Sequence, residues 1–561
     1  MNFFNYLTLL KATARLRKAQ KAFAINTLVV IALCMALPFH SLAQKFVDPR
    51  DADTYYKEKN YLAAMKGYKE LVKANPTNAE YRYNLGMCYL NSNIDKSQAA
   101  QYFEWIVKLP KFDYEVWYEL GRAYHYANKF TEAIQAFNKF KEHTSSATDK
   151  AKADKEIEEC NNGIQLVKYP LNVSFENVGK NINSPYPDYY PLVSSDESIL
   201  IFTSRRPGGA AQQPEVDGYY SSDIYISHAV NGVWQKAKSI GSQINTADDE
   251  EAVGLNPSAN ELTIYLDHID NFGDIYYAQR KGNTFSKPIK YNQAINSGFE
   301  SSGSISPDGA VLFFASNRAG GYGETDIYMA KKLPNGEWAS PQNLGRNVNT
   351  QYKEDFPWLD LDGTTLYFSS QGHSTMGDFD VFKTQWLNPD SDNWSAPQNL
   401  GYPVNTSGDD RCISFTDKHN VAYISRVHPD GYGDYDIYRI IFHDNQRYAI
   451  VRGKIITADS TKPLEGTITA TDPKNPDQQP LTFKPTRNGK YVMALMPGIY
   501  DISIECDGYP TLKDKLIIMD LNSFQPETIK DYSLVPQQQQ PAPPPNNDKN
   551  KPKSPPPNRV H

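Results

Sequence analysis

Cysteine is scarce, at five residues in 561. Cys88, Cys160, Cys412 and Cys506 fall in separate segments, and no pair has the CxxC spacing of a metal or redox site. The pattern is not a disulfide framework, and buried free thiols are its simplest reading. Histidine is also sparse, ten in all, and residues such as His228, His268, His373 and His428 show no regular metal spacing. The nucleophile elbow Gly-x-Ser-x-Gly, the zinc-binding His-Glu-x-x-His and the phosphate-binding P-loop are all missing. Carboxylate runs such as Asp248-Asp249-Glu250-Glu251 are common, but nothing singles out an acid/base pair among them. Basic excess is missing too. Net charge is −7, which argues against nucleic acid as a partner, because that needs a concentrated basic face. These absences predict no catalytic residues, no metal and no cofactor.

Tyrosine and proline are plentiful, 38 and 37 residues, as β-rich repeats with many turns require. Most of the tyrosines are expected to pack between strands. The one long apolar run is N-terminal. Lys11, Arg15, Arg17, Lys18 and Lys21 precede a nearly all-apolar stretch from Ala22 to Phe39, and Ser41-Leu42-Ala43 before Gln44 has the small residues of a signal-peptidase site. Residues 1–43 read as a signal peptide, so the chain is expected to be exported. A retained membrane anchor and lipidation at Cys34 are the alternatives; Pro38 counts against the first and Leu33, too large before a lipidated Cys, against the second. At the other end, residues 536–561 are rich in Gln, Pro and Asn and cannot bury a core, so they are expected to be disordered. Lys549, Lys551, Lys553 and Arg559 make that tail basic.

Between these ends lie two repeats. The first occupies 48–165. Asn75-Pro76 and Leu109-Pro110 stand 34 residues apart, and close to that period carries Ala52, Gly86 and Gly121, then Tyr68, Phe103 and Phe137. Small residues let antiparallel helices approach, aromatics fill the gap to the next pair, and Pro ends the second helix. This resembles the tetratricopeptide (TPR) family in three copies, which implies a groove for partner proteins. The charged segment Asp149–Glu159 reads as a solvating cap helix.

The second repeat fills 170–445. Its mark is Asp-(Ile/Val)-(Tyr/Phe), at Asp223, Asp274, Asp326, Asp380 and Asp436, with spacings of 51, 52, 54 and 56 residues. Turn signals such as Ser306-Pro307-Asp308-Gly309 precede apolar strands, and Trp338 to Gly345 recurs as Trp394 to Gly401. Short strands at this spacing indicate four-stranded blades. The motifs resemble the PD40, or WD40-like, β-propeller repeats of exported bacterial proteins. Five blades are predicted, with six as the alternative. Val173–Gly179 looks like an orphan last strand, which the fifth repeat lacks, so it is expected to complete the final blade and remove an exposed edge. The repeated Asp is read as structural, accepting hydrogen bonds from backbone or Arg. Each repeat also has an Asn-Ser or Asn-Thr pair (Asn183, Asn245, Asn296, Asn349, Asn405) followed by an acid: Asp188, Glu250, Glu300, Glu354 and Asp410. Two readings stay open for these acids, a ring at the channel mouth that meets a basic partner or cation, and Asn-paired or solvated turns.

Residues 448–535 alternate apolar residues between turn signals such as Asn488-Gly489 and Pro497-Gly498, as a small antiparallel sandwich does. They resemble the carboxypeptidase regulatory-like domain, an Ig- or transthyretin-like fold that carries no peptidase chemistry. The fold class expected is therefore multidomain, α plus all-β. The domain order resembles a periplasmic family of Bacteroidota that includes the PorE component of type IX secretion, where an OmpA-like domain commonly follows; no such segment lies within these residues. The resemblance implies a non-catalytic scaffold at the periplasm or the periplasmic face of the outer membrane, holding envelope proteins through the TPR groove and propeller face. A carbohydrate- or peptide-binding receptor is the alternative, and a propeller hydrolase the second. The basic tail adds peptidoglycan or another glycan as a further candidate partner.

Overall fold

The computed structural model describes residues 49–168, 170–268, 271–388, 393–443, 449–457, 464–473, 479–496, 498–518 and 527–536. The expected signal peptide and the expected basic tail lie outside the described residues. Among the described residues no helix is long and apolar enough to cross a membrane.

The N-terminal region is helical: α1 (Ala52–Lys57), α2 (Tyr61–Ala74), α3 (Ala79–Leu90), α4 (Ala100–Ile106), α5 (Glu115–Tyr126), α6 (Phe130–His143) and α7 (Ala147–Leu166). Side chains cap several starts: Asn60 accepts from Ala63 N, Asn78 from Tyr81 N, and Ser146 from Asp149 N. The small residues read from the sequence sit under aromatic rings. A Cβ on Gly86 would lie 2.6 Å from Phe103 Cζ, one on Gly121 2.5 Å from Phe137 Cε1, and one on Gly163 2.6 Å from Phe130. Phe103 and Phe137 are fully buried. Gly121→Val is therefore expected to force the rings apart and cost the helical region about 1–3 kcal/mol. Limited proteolysis and far-ultraviolet circular dichroism read this directly, and unchanged protease resistance would contradict it.

Five antiparallel sheets follow. Sheet I holds β2 (Asp188–Val193), β3 (Ile199–Ser204) and β4 (Asp223–Val230), after the lone β1 (Val173–Asn177). Sheet II holds β5 (Asp249–Leu255), β6 (Glu261–His268) and β7 (Asn271–Lys281); sheet III holds β8 (Glu300–Ile305), β9 (Val311–Ser316) and β10 (Asp326–Lys331). Sheet IV holds β11 (Glu354–Leu359), β12 (Thr365–Ser370) and β13 (Asp380–Asn388); sheet V holds β14 (Ser414–Phe415), β15 (Val421–Arg426) and β16 (Asp436–Phe442). Sheets I to IV each end in short outer strands from their own repeat. Sheet V instead takes β1, which pairs antiparallel with β16 from Val173 opposite Phe442 to Asn177 opposite Tyr438. A strand before the first sheet thus completes the last.

The sheets are joined in a closed, propeller-like ring by their inner strands. Glu250 N donates to Ser222 O (2.9 Å), Glu354 N to Thr325 O (2.9 Å), Asp410 N to Phe379 O (2.8 Å) and Asp188 N to Tyr435 O (2.8 Å). Sheets II and III meet where Gly254 approaches the Gly303 carbonyl so closely that a Cβ would stand 1.8 Å from it. The turn before each second strand needs a left-handed residue. Gly309 and Gly363 supply it in two sheets, and Glu197, Ala259 and His419 adopt it elsewhere, so the second blade turns at Asn256-Pro257-Ser258-Ala259 without a Gly.

The C-terminal strands form two more sheets. One pairs β17 (Ala449–Ile456) with β20 (Lys490–Leu495) and, in parallel, with β23 (Glu527–Ile529) and β24 (Tyr532–Ser533). The other runs β19 (Leu481–Phe483), β18 (Gly466–Thr471), β21 (Gly498–Cys506), β22 (Leu512–Ile518). Their shared core includes Val451, Ile468, Met493 and Ile504. All four cysteines read as free thiols are free and buried.

Candidate functional site

The Asn residues of the second repeat act as clamps between the end of one strand and the connection beside it. Asn245 Oδ1 accepts from Ile224 N and its Nδ2 donates to Ile224 O. Asn296 does the same to Ile275, Asn349 to Ile327 and Asn405 to Val381. Asn183 clamps Ile437, 254 residues away, and so fastens the ring's two ends. Each clamped residue directly follows the repeated Asp. Those acids are held by bonds within their own blades. Asp326 accepts from Tyr322 N, Gly323 N and Asn343 Nδ2; Asp380 accepts from Met376 N and Asn399, and Asp436 from Tyr432 N and Asn177. Asp223 accepts from Ala210 N, and Asp274 pairs with Lys290. Backbone N–H groups, one of the two donor types expected, serve four of the five, with Asn and one Lys completing the set; among the described residues no Arg pairs with any of them.

The acids after the Asn clamps are not a channel-mouth ring that meets a partner. Asp188, Glu300 and Glu354 are 0% exposed, Glu250 1% and Asp410 7%. Each folds back on its own turn. Glu354 accepts from Thr350 N and Oγ1 and from Ser370 Oγ, and Glu250, Asp188 and Asp410 accept from Thr246, Ser184 and Thr406 in the same way. Glu300 accepts from Gly298 N and Ser316 Oγ. Burial withdraws all five from any basic segment outside.

Their surroundings divide them. Arg206 pairs with Asp188, and Arg318 with Glu300 at 3.1 Å. Arg206 also donates to the Ile182 carbonyl and Arg318 to those of Ala294 and Ile295, and each covers two aromatic rings. Among the described residues Glu250 and Glu354 have no such Arg, and burial raises both to about 7; burial raises Asp410 to about 6 against a more distant Arg426.

Side chains alternate along a strand, so the residue after each buried acid faces the other way. These are Tyr189, Glu251, Ser301, Asp355 and, in the segment before β14, Arg411, and two pairs of them meet between neighbouring sheets. Tyr189 donates to Glu251 (2.9 Å) and Ser301 to Asp355 (2.9 Å), while Arg411 pairs with Asp409 (2.7 Å) and covers Phe379. Burial raises Glu251 to about 7, and the charge of Arg411 pulls the other way. The sequence reading did not single out these neighbouring residues. Had strand alternation been applied to the acid positions, the next residue would have stood out.

The helices sit on the face of the ring where these residues emerge. Met376, from the β12–β13 connection, is fully buried among Tyr118, Phe130, Phe137 and Phe140. Helix α7 reaches the same connection. Asn162 Nδ2 donates to Thr375 O (2.8 Å), and Lys155 donates to Thr375 Oγ1 (3.2 Å) and lies over the Tyr352 ring. The helix expected as a solvating cap therefore docks the two regions together. Beside this contact a cleft of about 860 Å³ stays open between them. Its helical wall carries Asn93, Lys96 and Tyr126, and its ring wall Tyr402, Asp409, Arg426, His428, Tyr432 and Tyr435. Burial lowers Lys96, against the pull of Asp409, Asp378 and Asp434, and its amine lies over Tyr126. Burial raises Asp434, which accepts from Tyr219. Aromatic faces with interspersed charges of both signs suit a peptide or sugar segment better than a compact anion.

Residues 95–147 match the family model of the tetratricopeptide repeat. Among curated proteins none matches the sequence. Among solved structures the chain is similar to a putative TolB from Agrobacterium tumefaciens, at 15% identity over 49% of this chain and 98% of that one, with a TM-score of 0.27. A protein of unknown function from Dyadobacter fermentans shares 10% identity over 48% of this chain and 100% of that one (TM-score 0.31). The tricorn protease shares 13% over 61% of this chain and 33% of that one (TM-score 0.29). None of these likenesses bears on activity. The segment at 95–147 is thus a tetratricopeptide repeat, a class of helical repeat that generally mediates protein–protein contact, and it is seated on a propeller-like ring.

Proposed function

We propose that this chain is a non-catalytic scaffold of the bacterial envelope, which binds partner proteins between its TPR helices and the mouth of a five-bladed PD40-type propeller. The observation that carries the reading is the TPR match at 95–147 together with the cleft those helices leave against the ring. A second helical pocket of about 400 Å³, lined by Trp117, Tyr124, Lys108 and Lys139, offers a partner the same mixture of aromatic and charged groups. In this reading the C-terminal sheets are the carboxypeptidase regulatory-like sandwich and stiffen the assembly. In this reading the expected N-terminal signal exports the chain to the periplasm or the periplasmic face of the outer membrane, where it serves a secretion or gliding complex of the type IX kind.

Four tyrosines on the cleft favour a second reading, a receptor for a carbohydrate or peptide. Mild crosslinking of tagged protein in its native envelope, followed by mass spectrometry, separates the two. Recovery of envelope proteins, reduced by Tyr432→Ala, supports the scaffold. Retention on glycan or cell-wall material with no protein partner supports the receptor and overturns the scaffold.

A further inference from the structure

His125, near the end of α5, and Glu156 and Glu159 on α7 are remote in sequence, and no motif joins them. Glu156 and Glu159 are three residues apart, so they share one face of α7. That face meets His125 beside the Met376 connection. Ligating atoms of the three lie within 4.8 Å of one another.

The orientation of the imidazole is fixed from outside the group. Its Nε2 stands 2.8 Å from the Met376 carbonyl, so Nε2 carries the hydrogen, and Phe130 packs edge-on against the ring. Nδ1 is left with a lone pair aimed at Glu156 Oε2, 3.4 Å away. Charge-assisted hydrogen bonds close to about 2.7–2.9 Å, so this is a poor one. It is close to the separation of about 3.3 Å between two donors on a tetrahedral zinc ion with bonds of about 2.0–2.1 Å. The other oxygen of Glu156 accepts from Tyr118 OH at 2.7 Å. An imidazole tied to a carbonyl and a carboxylate tied to a hydroxyl are the outer supports usual around bound metal.

The charge count points the same way. Lys155 approaches Glu159 at only 3.5 Å, and its contacts with Thr375 and Tyr352 would hold it without that pair. Asp380 is fully buried behind the Met376 connection, and its Oδ1 has no partner among the described residues.

We infer that His125 Nδ1, Glu156 and Glu159 bind a divalent transition metal, zinc by donor class, that fastens α5 and α7 beside the Met376 connection of the ring. The imidazole donor sets the class, because calcium and magnesium take oxygen ligands. The ion would hold the helical region at a fixed angle over the cleft.

The test uses the full mature chain stripped by a chelator. Zinc titrated by calorimetry is expected to bind at one equivalent and raise the melting temperature. Cobalt is expected to give the visible absorption of a four-coordinate nitrogen–oxygen site. His125→Gln and Glu159→Gln should each weaken zinc binding at least about 100-fold, against the 10–100-fold usual for lost outer-shell partners. Absence of one-equivalent zinc binding and of the cobalt band in the wild-type chain would overturn the inference, whether or not the variants fold. So would zinc binding left unchanged by both substitutions, which would assign the ion to exposed histidines.

Discussion

Arg318→Met is expected to destabilise the ring by about 3–5 kcal/mol, the range for removing one partner of a buried ion pair. Glu300 is completely buried, and Arg318 is its only cationic partner among the described residues. The same guanidinium donates to the carbonyls of Ala294 and Ile295 and lies over Phe314 and Tyr328. Methionine would keep much of the apolar stem and lose every donor. Urea unfolding followed by tryptophan fluorescence measures the loss. Adding Glu300→Gln should recover part of it, because the buried charge goes while Ser316 and Gly298 can still bond the amide. If the double variant is no more stable than the single one, the cost lies in the carbonyls and rings and not in the unpaired carboxylate.

The second large effect is an inverted pH dependence. Burial raises Asp223, Asp410 and Asp436 to about 6, and Glu250 and Glu354 to about 7. In the unfolded chain these groups titrate near their ordinary values of about 4. Between those limits the folded state holds more protons, so stability is fullest below about pH 4 for these groups and is lost as pH rises through 6 to 7. Each unit of elevation is worth about 1.4 kcal/mol when the group ionises. Thermal unfolding is therefore expected at a lower temperature at pH 8 than at pH 5. Glu354→Gln should flatten the profile, since the amide can imitate the protonated acid between Thr350 and Ser370. An equal or higher midpoint at pH 8 would show that the turn N–H and hydroxyl donors outweigh burial.

Both effects come from buried acids of the second repeat and show where sequence reading stopped. The five acids after the Asn pairs were legible as a periodic feature, because each follows an Asn-Ser or Asn-Thr pair by four or five residues. Their environment was not legible. Arg206 and Arg318 stand in one pattern, Ser-x-Arg at the end of a second strand, but whether a guanidinium folds back onto the inner strand is decided by packing. The helical repeat was read more completely. Gly86 and Gly121 must be small because Phe103 and Phe137 lie on them, and that constraint is written at a fixed period. The cap helix was misjudged because its charged face was taken to meet water. Lys155 and Asn162 instead meet the ring, and nothing in local composition distinguishes the two surroundings.

The sequence by itself determined the helical repeat, the Asp-(Ile/Val)-(Tyr/Phe) strands, the orphan strand at 173–177 and the free cysteines, since each depends on local periodicity or on a residue type at a fixed offset. Tertiary structure alone decided the clamp of Asn183 on Ile437, the burial of the five acids, the lining of the ring centre by Tyr189, Glu251, Ser301, Asp355 and Arg411, and the meeting of His125 with Glu156 and Glu159. The reason is physical. Periodicity fixes which face of an element a residue occupies, but dielectric surroundings and hydrogen-bond partners are set by groups from distant segments, and ring closure and the docking of the helices bring those groups together.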